Sequence, residues 1–70
     1  MQNQYTAVIK RDGKWWIGWI EEVPGVNCQE LTKEELIVSL RETLKEALDL
    51  NKEEAKTFAG VDFHEEKIAI

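Results

Sequence analysis

The sequence predicts an α+β fold: a three-stranded antiparallel sheet, one main helix and a further C-terminal strand, in the order β-β-β-α-β. Three observations carry this. The stretch Lys14-Trp15-Trp16-Ile17-Gly18-Trp19-Ile20 is aromatic and β-branched, follows the turn signal Asp12-Gly13 and is stopped by Pro24-Gly25. Thr32-Lys33-Glu34-Glu35 has the form of a helix-starting capping box. Behind it Leu36, Leu40, Leu44 and Leu48, with Ile37 and Ala47, recur at helical spacing.

The first strand is expected from Tyr5 to Arg11. Asp12-Gly13 is a strong two-residue hairpin signal, because both residues tolerate positive φ. A turn centred there pairs Ile9 with Trp16, Ala7 with Gly18 and Tyr5 with Ile20 on one face. On the other face it pairs Lys10 with Trp15, Val8 with Ile17 and Thr6 with Trp19. Ala7 and Gly18 are small and let a helix approach, so their face is expected to meet the helix. Val8, Trp15, Ile17 and Trp19 then form an aromatic surface on the opposite side. That surface has two readings: a protein interface, or a face closed by the C-terminal segment of the same chain.

A short third strand is expected over Val26 to Glu30 after the Pro24-Gly25 turn, with Val26 and Cys28 on one face. In the capping box the Thr32 hydroxyl accepts from the Glu35 amide and the Glu35 carboxylate reaches back to the Thr32 amide. The helix is expected to run to about Leu50. Asn51 to Gly60 is polar and reads as a short second helix ended by Gly60. Val61, Phe63, Ile68 and Ile70 suggest a closing strand around Lys67 to Ile70 that returns to the sheet.

Seventy residues form a single domain, residues 1–70, near the lower size limit for folding alone. Self-association into a homodimer or higher oligomer, or a protein partner, is therefore expected. The composition is globular, at 43% hydrophobic and 33% charged, and the net charge is −5. That charge argues against a nucleic-acid surface, which needs clustered cations, and suits a basic protein partner. Cys28 is the only cysteine, which fits a reducing compartment. Met1-Gln2-Asn3-Gln4 lacks the blocks of a signal peptide, and no apolar run approaches the ~20 residues of a membrane span. A cytoplasmic protein is the expectation.

No catalytic constellation stands out. His64, in Asp62-Phe63-His64-Glu65-Glu66, reads as a solvated surface histidine rather than a base or ligand. Cys28 reads as a buried strand cysteine acting as a small hydrophobe rather than a nucleophile. Glu21-Glu22, Glu34-Glu35, Glu53-Glu54 and Glu65-Glu66 are adjacent pairs whose side chains point apart, so they do not form acid/base dyads. There is no glycine-rich phosphate loop and no Gly-x-Ser-x-Gly elbow. Neither enzyme activity, metal nor cofactor is expected.

Tyr5-Thr6-Ala7-Val8-Ile9, then Asp12-Gly13-Lys14-Trp15-Trp16, then Val23-Pro24-Gly25-Val26, then Thr32-Lys33-Glu34-Glu35-Leu36 resembles the HicB-like antitoxin domain over about residues 5 to 50. The structural motif residues are Asp12, Gly13, Pro24, Gly25, Thr32 and Glu35. Val26 replaces the usual cysteine after the turn, Glu30-Leu31 the usual Gly-Asp, Leu36 the usual alanine and Glu21-Glu22 the usual Pro-Asp. The resemblance implies a partial ribonuclease-H-like fold and a toxin–antitoxin role, in which the domain binds and blocks a HicA-type mRNA-cleaving toxin. The apolar strand and small size separately lead to the expectation of a homodimer, built partly on Val8, Trp15, Ile17 and Trp19. The C-terminal DNA-binding domain common in that family is not expected in this chain, so operator binding is not carried over. The alternative is a homo-oligomeric structural or regulatory module without a toxin.

Overall fold

The computed structural model describes residues 4–69. Met1, Gln2, Asn3 and Ile70, the last of which belongs to the expected closing strand, lie outside the described residues. Three strands, β1 (Ala7–Asp12), β2 (Trp15–Ile20) and β3 (Asn27–Glu30), precede one helix, α1 (Lys33–Ala59). The strands form a meander in the order β1-β2-β3, antiparallel throughout.

The hairpin register differs from the sequence expectation by two residues. Ala7 pairs with Ile20, Ile9 with Gly18, Arg11 with Trp16 and Asp12 with Trp15. The turn is therefore Gly13-Lys14, not Asp12-Gly13. Gly13 has φ +63°, and no non-glycine residue among those described has positive φ. One glycine in the first central position is what a type II′ turn needs, whereas a turn centred on Asp12-Gly13 would ask Asp12 for positive φ as well. Side chains alternate with period two, so a two-residue shift changes the partners and keeps the faces.

The β2–β3 connection is a tight turn at Val23-Pro24-Gly25-Val26. The Val26 N–H donates to the Val23 carbonyl at 3.5 Å, with Gly25 at φ +92°. Proline second and a positive-φ glycine third define a type II turn. It tucks both flanking valines into the core, which consists of Ile20, Val23, Val26, Leu36 and Leu40. Ile9, Trp16, Cys28, Leu44, Ala47 and Leu48 pack around it.

Gly18 fixes how closely sheet and helix meet. A Cβ there would lie 3.1 Å from Leu40 Cδ1, 3.2 Å from Leu36 Cδ2 and 3.0 Å from the Val8 carbonyl oxygen. The Gly18 face of β2 is thus the helix-facing side. Alternation turns Trp15, Ile17 and Trp19 to the other.

Helix α1 starts as the capping box predicts. The Glu35 N–H donates to Thr32 Oγ1 at 3.1 Å. The Glu35 carboxylate accepts from the Thr32 hydroxyl at 3.0 Å, where the capping box would use the Thr32 amide. Glu34 and Glu35 in the first turn and Lys56 in the last suit the helix dipole. Ser39 Oγ donates to Glu30 Oε2 at 2.7 Å, and Cys28 Sγ lies 3.5 Å from Thr43 Oγ1, so both join α1 to β3.

Two expectations beyond Leu50 are corrected. Asn51–Ala59 continues α1 as one helix of 27 residues, ended by Gly60 at φ +86°. No proline or glycine interrupts the chain between Leu50 and Gly60, and Lys52-Glu53-Glu54-Ala55-Lys56 are good helix formers. Among the described residues no strand follows α1. The polar run His64 to Lys67 separates Val61 and Phe63 from Ile68, and Phe63 to Glu65 lie along the end of α1 instead of at the sheet. The helix is about 40 Å long and the six-residue strands about 20 Å, so its C-terminal half projects past the sheet. The radius of gyration, 15.2 Å, exceeds the ~11 Å of a compact chain of this length.

Gly18→Ala is expected to lower stability by about 1–3 kcal/mol, because the new methyl meets a backbone oxygen as well as two core leucines. Urea denaturation checks this. An unchanged midpoint would show that the sheet and helix do not depend on that contact.

Candidate protein-binding face

The outer side of the sheet is built by strand alternation. β1 supplies Val8 and Lys10, and β2 supplies Trp15, Ile17 and Trp19. β3 adds Asn27 and Gln29, which the sequence reading does not single out. Val8 pairs with Trp19, Lys10 with Ile17, Trp19 with Asn27 and Ile17 with Gln29. The four residues expected to form the aromatic surface, Val8, Trp15, Ile17 and Trp19, thus share one face. Trp19 is 39% exposed. Trp15, Ile17 and Val8 are half-buried, held by their neighbours in the sheet.

Between Ile17, Trp19, Asn27 and Gln29 the surface dips into an open depression of about 450 Å³. Lys14 places its ammonium 5.6 Å from the centre of the Trp15 ring, within cation–π range. On the helix side, the Arg11 guanidinium lies 5.2 Å from the Trp16 ring centre, and its Nη2 donates to the Gly13 carbonyl at 3.0 Å. The signal for Asn27 and Gln29 lies in their alternation with Val26 and Cys28. Once these turn inward, the amides must turn outward.

The C-terminal segment does not cover this face. Phe63, His64 and Glu65 lie instead along Lys52, Ala55, Lys56 and Ala59 of α1, with Lys56 Nζ 3.5 Å from Glu65 Oε2. The closure reading of the aromatic surface is therefore set aside for the described chain. His64 belongs to that exposed segment, while Cys28 lies between β3 and α1 beside Thr43. Among the described residues no three of His, Cys, Asp and Glu come together in a way that could hold a metal ion.

One carboxylate has a built environment that spacing does not reveal. Glu22 accepts from the Thr6 N–H through Oε1 and from the Thr6 hydroxyl through Oε2, each at 2.7 Å. The Glu21 N–H donates to the Thr6 carbonyl at 2.9 Å. Together these bonds tie the start of β1 to the end of β2. The Thr6 N–H, and after it the Thr6 hydroxyl, hold the Glu22 carboxyl below its ordinary value.

The arrangement presents two indoles and two aliphatic side chains on a rigid sheet, framed by a lysine and two amides. Such a surface binds by burying apolar area and satisfying a polar rim. No family model, curated protein or solved structure matches the chain. Among the described residues no helix is long and apolar enough to cross a membrane.

The Glu22 clamp makes a pH prediction. A carboxyl held below its ordinary value stabilises the fold above that value, and the contribution is lost as pH falls through the lowered one. Replacing Glu22 with Gln is therefore expected to flatten the fall in melting temperature below the ordinary glutamate value of 4.5. Thermal melts of both chains across that range check it. Parallel curves would show that another group carries the acid sensitivity.

Proposed function

We propose that this chain is a cytoplasmic protein-binding module of the HicB-like antitoxin type, with a partial ribonuclease-H-like fold, that binds and neutralises a HicA-type mRNA-cleaving toxin. The observation that carries the reading is the outer sheet face, where the exposed Trp19 stands beside the half-buried Trp15 and Ile17. Tryptophan is enriched where buried contacts carry binding energy.

The chain's charge supports the same reading. At −5 it attracts a basic partner and repels nucleic acid. A toxin that grips RNA must itself be cationic. Inhibition needs no chemistry from the antitoxin, only occupation of the surface the RNA would use. Trp19 is the expected anchor, because it is the most exposed indole and lies beside the depression lined by Asn27 and Gln29. Lys10, near the centre of the face opposite Ile17, offers a hydrogen-bonding head to a carboxylate or carbonyl of the partner.

The test is co-expression with the small basic reading frame adjacent to this gene. That frame alone is expected to arrest growth, and the present chain to restore it. Trp19→Glu is expected to keep the circular dichroism of the native fold and to lose the rescue. The reading fails if no adjacent basic frame exists, if the frame is harmless, or if Trp19→Glu rescues as well as the native chain. Rescue lost with the fold intact would place the contact on this face.

A further inference from the structure

The projecting half of α1 carries a pattern that the sheet does not use. Leu44, Ala47, Asn51, Ala55 and Phe58 are spaced three, four, four and three residues apart. At 3.6 residues per turn they fall within an arc of about 80°. The spacing reads the same in both directions from Asn51. Leu44 and Ala47 are half-buried against the core, whereas Asn51 and Ala55 are exposed and Phe58 is 96% exposed. A fully exposed phenylalanine in line with two core-packed residues is an apolar stripe that has run beyond its own sheet.

We infer that two copies of this chain pair through that stripe, with their α1 helices antiparallel and crossing at Asn51. The spacing itself specifies the partner. In an antiparallel pair centred on Asn51, Leu44 of one helix meets Phe58 of the other, Ala47 meets Ala55, and the two Asn51 amides face each other. This is an isologous contact, in which one patch complements itself. The alanines on either side of the centre permit close approach. A buried amide pair at the crossing fixes the register, since any slip leaves each amide against an apolar side chain.

Two further features fit the same occupant. A groove of about 500 Å³ opens beside the bottom of β1, lined by Tyr5, Ile20, Ile37, Leu40, Arg41 and Leu44 among others. The crossing brings the end of the partner helix level with Arg41, at the mouth of this groove, so Phe58 arrives beside Leu44. Gly60 ends the helix there, before it would run into the sheet. Charge agrees as well. Arg41 lines the groove, and Asp62 follows two residues after the partner's Gly60. The surface is separate from the outer sheet face, so a dimer formed this way leaves Trp15, Ile17 and Trp19 free.

Sedimentation of the full chain tests the pairing. The expected mass is twice the 8.1 kDa of one chain. Phe58→Glu, at a position with almost no contact in the single chain, is expected to weaken association about thirtyfold or more while the circular dichroism stays native. Trp19→Glu is expected to leave the mass at that of the dimer. Cross-linking gives an independent readout. In a Cys28→Ser background, Asn51→Cys is expected to oxidise to a disulfide-linked dimer. Ala47→Cys and Ala55→Cys chains, mixed, are expected to link to each other rather than to themselves. A monomer at millimolar concentration overturns the inference. So does a dimer that survives Phe58→Glu and is lost in Trp19→Glu, and so does a 47-to-47 cross-link. Neither the presence nor the absence of a toxin affects these outcomes.

Discussion

The fold depends on the absence of one side chain. Gly18 sits near the middle of the central strand, and the space a Cβ would take is filled by the ends of Leu36 and Leu40. These are two of the most deeply buried residues of the chain, one helical turn apart. Because α1 can settle this low, Ile20, Val23 and Val26 close around the leucines, and Trp16 and Cys28 seal the sides. A larger residue at 18 would lift the helix and open a core that has only five buried members among the described residues. The same contact decides the other side of the sheet. With Gly18 turned inward, two tryptophans and an isoleucine must turn outward.

Most of this was legible from residue types alone. The turn glycines, the cap at Thr32 and the leucine spacing each impose a local geometry, and the three agree. The division of β2 into two faces follows from period-two alternation, which is why it survived a hairpin register displaced by two residues. That displacement lies in turn chemistry. Asp-Gly suits a turn needing two positive φ values, but Gly13 followed by Lys14 makes one that needs a single glycine. The length of α1 was harder to see. Beyond Leu50 the apolar stripe thins to Asn51, Ala55 and Phe58, and the helix there rests on propensity and continuity rather than on packing.

The expected closing strand does not form among the described residues. Four consecutive polar residues, His64 to Lys67, leave only a short apolar end, and the segment before it is held back along α1 by Lys56 and Glu65. The aromatic face and Lys10 on it were legible, while its amides Asn27 and Gln29 depended on the pairing of the third strand. The Glu22–Thr6 clamp was not legible, because it joins residues sixteen positions apart through two hydrogen bonds to one carboxylate. Such pairings depend on the register and on the exact path of a turn, which neither residue type reveals.

The order of the strands in the sheet is also their order in the chain, and the helix follows the third strand after a connection of only two residues. Every element packs on one next to it or nearly next to it in sequence. Chains of such low contact order close their contacts over short loops and fold fast. All five buried core residues are contained in the stretch that ends at Leu40. The hydrophobic centre can therefore assemble from the first forty residues before the rest of α1 has formed. The rest of α1 then grows outward from a template that is already in place.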